Sequence, residues 1–187
     1  MLYLVGLGLY DERDLSLRGL EVLKKADVVY VERYTNFFSG DFSRLESMIN
    51  KKVTTLERSD VEEHPDDTLL RNTDKNVVLL VSGDPMVATT HIDLVLRAHK
   101  KAIPVQVVHS SSVYSAVGET GLQIYKFGKT TTMAFPEKSY FPKTPYEVVK
   151  QNQASGLHTL VLLDVKADAE KYMTVNDAVK LLLNIEE

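Results

Sequence analysis

Val77-Val-Leu-Leu-Val-Ser-Gly-Asp-Pro-Met-Val-Ala-Thr-Thr-His91 carries a run of consecutive apolar, β-prone residues into a Gly-Asp-Pro turn. A run that is apolar at every position offers no face to water, so it suits a parallel strand covered by helices on both sides. A turn at the C-terminal end of such a strand lies where open α/β sheets bind ligands. Glycine, aspartate and proline are also ordinary turn formers, and on these residues alone a turn and a ligand site are equally good readings.

The same pattern extends on either side. Apolar β-rich runs predict strands over residues 2–6, 28–32, 53–56, 77–82 and 105–108, and helical periodicity fills 15–25, 42–50, 89–100 and 112–119. This alternation predicts an α/β fold on a mostly parallel sheet. After Gly121-Leu-Gln-Ile-Tyr-Lys-Phe-Gly-Lys129 the pattern restarts, with strands expected at 131–135 and 160–164 and helices at 145–153 and 175–185. The expected organisation is two α/β domains, residues 1–125 and 126–187, joined at about 125–129. Tyr125-Lys-Phe-Gly128 reads as a hinge with an aromatic packed on each side. Two strands make a marginal core. The last helix presents an apolar stripe from Val175 to Ile185 that is wider than two strands can bury, so a partner or further chain is expected to cover it.

The chain has 187 residues, 44% of them hydrophobic and 26% charged, with a formal net charge of −4. That balance is globular, and the charge argues against nucleic acid or an anionic membrane as partner. The absence of cysteine removes disulfides, thiolate metal sites and cysteine nucleophiles together. The five histidines show no metal-binding spacing, and no metal is expected. The apolar N-terminus has neither a basic leader nor a small-residue cleavage site, and no run approaches the ~20 residues needed to span a bilayer, so a cytoplasmic location is expected. The charge-rich stretch 57–67 reads as a solvated surface loop.

Gly6-Leu-Gly8 joins the first strand to the first helix, where glycine lets backbone approach a ligand closely. It could open a dinucleotide fold, with Glu32 at the end of the next strand in the place of a ribose-binding acid. Asp11, Glu12 and Asp14 oppose that, because they crowd with negative charge the site a pyrophosphate would need; their plain reading is helix capping and dipole compensation. His109-Ser-Ser-Ser112 places serines beside a histidine but lacks a nucleophile elbow, and the hydroxyls suit a cap for the following helix or ligand hydrogen bonds.

In order, Leu2-Tyr-Leu-Val-Gly-Leu-Gly-Leu-Tyr-Asp-Glu-Arg-Asp14, Gly83-Asp-Pro-Met-Val-Ala-Thr-Thr-His91, Gly121-Leu-Gln-Ile-Tyr-Lys-Phe-Gly-Lys129 and Gly156-Leu-His-Thr-Leu-Val-Leu-Leu-Asp-Val-Lys166 closely resemble the diphthine synthases, a branch of the tetrapyrrole-methylase superfamily. The likeness runs over essentially the whole chain, and Ala-Phe-Pro-Glu137 is more like the archaeal members. It implies two α/β domains with S-adenosylmethionine held in the cleft between them. It implies a methyltransferase acting on the amino group of the modified histidine of translation elongation factor 2 in diphthamide biosynthesis, with S-adenosylhomocysteine as product. Carried over by motif, the cofactor contacts would be Leu9, Asp84, Val87, Ser112, Val113 and Leu163. Family members continue past the equivalent of Glu187 and are usually homodimers, so the resemblance implies a C-terminally truncated second domain and a homodimer.

Methyl transfer from a sulfonium to an amine needs alignment more than a strong base, and no catalytic residue is assigned. Three other readings compete. One is a methylase of corrinoid precursors or ribosomal RNA on the same fold, against which the first loop's Tyr10-Asp-Glu-Arg-Asp14 argues. Another is a nicotinamide-dependent oxidoreductase, and the third is an inactive truncated remnant.

Overall fold

The computed structural model of the chain describes residues 1–36, 38, 40–71, 74–137, 141–166, 169 and 171–186. The chain divides into two compact units, Met1–Ala116 and Val117–Glu187. Each unit is built on parallel strands.

In the first unit, β1 (Leu2–Gly6), β2 (Val28–Glu32), β3 (Val53–Leu56), β4 (Val77–Val81) and β5 (Val105–Val108) form one sheet in the order β3-β2-β4-β1-β5. Every pairing is parallel, and Leu4 sits between Leu79 and Val107. All five residues of β4 are buried, as a central strand apolar on both faces requires. On one face Val5, Val29, Val31, Val78 and Leu80 pack with Leu23 of α1 (Leu17–Lys25) and with Leu45 and Ile49 of α2 (Phe42–Ile49). Leu2, Leu4, Val77, Leu79 and Val81, which alternate with that set, are equally buried and turn to the other face. The path from β1 through α1 to β2 and the path from β4 through α4 (His91–Lys100) to β5 run in opposite directions along the sheet. Right-handed crossovers therefore place α1 and α4 on opposite faces and leave a crevice between the ends of β1 and β4.

The sequence expectation for 57–67 is corrected. Arg58–Glu62 is a short helix, α3, and Pro65–Asp67 a 3-10 turn, with Val61 and Pro65 buried. Asp60 accepts a hydrogen bond from the Glu57 N–H at 2.9 Å, a reciprocal cap inside what reads as a charge run. The helix expected at 112–119 is a single α-turn, α5 (Val113–Ala116), followed by the 3-10 turn Val117–Thr120.

In the second unit β6 (Thr131–Met133) pairs in parallel with β7 (Val161–Leu163), joined by α6 (Thr144–Ala154). A hairpin of β8 (Val165–Lys166) and β9 (Lys171–Tyr172) follows, which two-residue strands could not announce by any periodicity. The chain ends in α7 (Val175–Glu186). Met133, Phe135, Met173 and Ala178 form this unit's core, with Leu163, Leu181 and Leu182 packed on it. Val175, Val179 and Leu183 of α7 remain exposed, so the wide stripe is only partly buried, as its width required. Asn152 is buried and clips the unit together: its amide donates to the Lys129 carbonyl and the Thr159 hydroxyl, each at 2.8 Å, and its oxygen accepts from the Lys129 N–H. Tyr125-Lys-Phe-Gly128 lies within the second unit, and the expected packing of an aromatic on each side is found for one ring only. Phe127 packs edge-on against His158, whereas Tyr125 is exposed.

Candidate cofactor site

Three loops meet at the C-terminal ends of β4, β1 and β5. The first leaves β1 at its last residue, Gly6, and contains Gly8. Leu7 donates to the Val81 carbonyl, and Gly8 and Gly83 exchange both backbone hydrogen bonds, 3.2 and 2.9 Å long. The glycines are required by contact and by backbone. A Cβ on Gly6 would stand 2.5 Å from the Gly83 carbonyl oxygen and 2.7 Å from Ser110 Cβ. Gly8 has φ +82° and a Cβ there would stand 2.4 Å from Asp14 Cβ.

Asp14 accepts from the Leu9 and Tyr10 N–H groups at 3.0 and 2.8 Å. In a dinucleotide fold, amides of the loop after the first strand are the donors a phosphate takes. The protein's own carboxylate already occupies them. Helix capping, the sequence expectation for the acidic trio, is correct for one of the three. Asp11 caps the following 3-10 turn, and its hydrogen bonds from Arg13 hold its carboxyl near 2. Glu12 is instead buried, accepts from the Asp41 N–H at 3.2 Å and pairs with Arg44 at 3.1 Å, tying the loop to α2. Asp14 serves the glycine loop, since Ser16 caps α1 by accepting from Gly19 N–H. Glu32, the would-be ribose acid, is fully buried and accepts from Tyr34 N–H and from Thr35. Both supports of the dinucleotide reading are thereby spent inside the protein.

The second loop follows β4. Asp84 is buried; one carboxylate oxygen accepts from Met86 N–H at 2.9 Å, closing the Gly-Asp-Pro turn. The other lies 2.9 Å from His109 Nδ1 and 3.1 Å from Ser110 N–H, so it binds the third loop to the second. The Pro85 carbonyl accepts from Thr89 Oγ1 at 2.6 Å and meets His91 Nδ1 at 3.0 Å. Between those anchors Ala88 is held at φ 56°, a left-handed conformation that costs roughly 1–2 kcal/mol for a residue with a Cβ. Strain at a loop held from both sides is typical of ligand-facing backbone. In the third loop Ser112 is buried and its hydroxyl accepts from Tyr114 N–H at 3.3 Å, capping α5 as the sequence suggested. A Cβ on Gly83 would lie 4.0 Å from Ser112 Cβ, so these two loops are in contact.

Leu9, Asp84, Val87, Ser112 and Val113 thus stand on three loops joined to one another at one end of the sheet. Leu9 and Val113 are 39% and 40% exposed, which leaves apolar surface beside the buried polar groups. Leu163 belongs to the second unit, half-buried on β7 beside Met133 and Phe135. The sequence reading missed His109 and Ser110 as partners of Asp84. They lie 25 and 26 residues from it, and no local pattern reports a pairing made across the end of the sheet, between the loops that follow β4 and β5 on either side of β1.

Comparison with known proteins matches this geometry to one family. The model of the Tetrapyrrole (Corrin/Porphyrin) Methylases covers residues 1–185. A protein named diphthine synthase from Methanococcus maripaludis is 49% identical over 188 residues, spanning 100% of this chain and 74% of its own. One of the same name from Methanocaldococcus jannaschii is 49% identical over 189 residues, again covering 100% and 74%. A crystal structure of diphthine synthase superposes with a TM-score of 0.90 at 41% identity, over 99% of this chain and 71% of that one. Three linked loops at a sheet crevice, a glycine loop closed to phosphate, and identity near one half over its full length place this chain in the tetrapyrrole methylase family, among the diphthine synthases, as a methyltransferase.

Proposed function

We propose that the chain transfers methyl groups from S-adenosylmethionine to the amino group of the modified histidine of translation elongation factor 2, in diphthamide biosynthesis, and that it works in the cytoplasm as a homodimer. The observation that carries the cofactor assignment is Asp14 on the Leu9 and Tyr10 amides. A loop whose donors are filled by a carboxylate repels a pyrophosphate, yet it suits a ligand that has no phosphate and bears a sulfonium charge. The remaining residues fit the same ligand. Leu9, Val87 and Val113 offer apolar walls for an adenine or a methionine stem, and the Gly83-Asp84 backbone and Ser112 stand ready for ribose and amino-acid groups. Leu163 is the proposed contact from residues 126–187, the proposed second domain.

When bound, S-adenosylmethionine supplies an activated methyl group that passes to the amine nitrogen and leaves S-adenosylhomocysteine. The protein's part is alignment and exclusion of water. Asp84, through Met86, His109 and Ser110, fixes the relative position of two loops. Gly6 and Gly8 let the loops close. The amine must attack in its neutral form, and a desolvated pocket lowers its pKa toward that form.

Calorimetric titration with S-adenosylhomocysteine, run beside NADH, tests the assignment. Saturable binding of the first alone is expected, followed by incorporation of labelled methyl into elongation factor 2. Binding of NADH alone would overturn the cofactor, and cofactor binding without methyl transfer to that factor would overturn the substrate.

A further inference from the structure

The Asp84 carboxylate does its structural work without a histidine. Its two oxygens accept from main-chain amides, Met86 N–H at 2.9 Å and Ser110 N–H at 3.1 Å, and these bonds already close the Gly-Asp-Pro turn and join it to the loop after β5. His109 adds a third contact, Nδ1 at 2.9 Å from the oxygen that Ser110 shares. Its side chain is 70% exposed, against 6% for Asp84. An exposed ring buries little, and a surface ion pair adds little stability, so neither packing nor loop closure accounts for the contact. What the contact fixes is the ring. A carboxylate only accepts, so in the neutral imidazole Nδ1 carries the hydrogen and the lone pair lies on Nε2, across the ring from Asp84 on its outer side. A buried aspartate orients the base of a catalytic triad in the same way. Among the described residues, Asp84 is the charged group set against the ring. Asp14 meets the neighbouring Ser110 through its main-chain carbonyl, at 3.5 Å, and turns its carboxylate to the Leu9 and Tyr10 amides.

We propose that His109 is the general base of the transfer, its Nε2 taking a proton from the substrate's ammonium to make the attacking amine. This adds a proton acceptor to the alignment and desolvation derived above, and it rests on the methyl-transfer reading. One proton passes from the ammonium nitrogen to Nε2. The freed nitrogen pair then forms the new N–C bond as the C–S bond breaks, its electrons moving to sulfur. The imidazolium, paired with the Asp84 carboxylate and open to solvent, returns its proton to water. Each methyl accepted leaves the nitrogen an ammonium again, so the same base serves every further round.

The test compares the full chain with His109→Asn. Asparagine carries an N–H at the place of Nδ1 and keeps the bond to Asp84, but it has no basic nitrogen. The variant is expected to bind S-adenosylhomocysteine in calorimetry as the unchanged chain does, and to methylate elongation factor 2 about a hundredfold more slowly near neutral pH, the scale of general-base catalysis. The deficit should shrink as pH rises, because the amine then loses its proton to solvent unaided. Nitrogen NMR of the chain alone, with the ring neutral, should show His109 protonated on Nδ1. A normal rate in the variant, a deficit that does not change with pH, or a rate loss matched by an equal loss of S-adenosylhomocysteine affinity would overturn the role. So would a ring protonated on Nε2. An unchanged chain that binds S-adenosylhomocysteine yet transfers no methyl overturns the substrate reading instead, and this role with it.

Discussion

Gly6 and Asp84 show how much of the site rests on single atoms. A methyl group at Gly6 meets a backbone oxygen, which cannot move aside without parting the Gly8–Gly83 bridge. Gly6→Ala is expected to lose about 1–3 kcal/mol of stability in urea denaturation, and with it S-adenosylhomocysteine binding. Asp84→Ala orphans the Met86 and Ser110 amides and releases His109; a loss of about 1–3 kcal/mol and at least about tenfold in cofactor affinity should follow. Unchanged calorimetric affinity in that variant would remove Asp84 from the site. The two positions were legible to different degrees. Gly6 and Asp84 are recognisable as loop residues from their neighbours, because glycine and aspartate have local reasons to be in turns. That Asp84 binds His109, or that Asp14 turns back onto the glycine loop, has no local signature.

At the scale of elements, several helix ends rest on carboxylates. Asp41 caps α2 by accepting from Ser43 N–H, and hydrogen bonds from Ser43 hold its carboxyl below the usual range. Asp177 accepts from Thr174 at the start of α7 and is lowered for the same reason. A carboxyl whose folded pKa is depressed contributes stability that is complete above its unfolded pKa of about 4 and fades as pH falls through the folded value. The first turns of α2 and α7 should therefore lose amide protection as pH drops below about 4, and Asp41→Asn should abolish that dependence for α2 alone. Hydrogen exchange followed by NMR reads both. Asn152 does for the second unit what Asp84 does for the first. Asn152→Leu removes three hydrogen bonds across β6, α6 and the β7 approach, and a loss of about 2–4 kcal/mol in thermal unfolding is expected. α3 was hidden from sequence reading because its charges look solvated; only Val61, buried beneath them, marks it as structure.

At the scale of the whole molecule, the chain holds a complete five-stranded parallel sheet and a smaller unit whose last helix is only partly covered. Among the described residues no helix is long and apolar enough to cross a membrane. Val179 and Leu183 are 48% and 55% exposed, and apolar side chains in a row along a helix favour association. If the proposed homodimer forms through this face, replacing both by lysine should shift sedimentation toward the monomer while leaving stability within about 0.5 kcal/mol per site; sedimentation unchanged by the pair would remove this face from the proposal. The strands and the helices α1, α2 and α4 of the first unit were readable to within about two residues, because a buried parallel sheet demands uninterrupted apolar runs and its crossover helices demand a 3.6-residue period. Those demands act on neighbours in the chain, so the sequence by itself determined the class of fold, the place of the glycine and Gly-Asp-Pro loops, and the family resemblance. The strand order, the zip between Gly8 and Gly83, the closing of the glycine loop by Asp14 and the pairing of Asp84 with His109 were decided only by tertiary structure. Each depends on groups far apart in the chain or on a side chain turning back, and no local propensity encodes which partner a buried polar group will find.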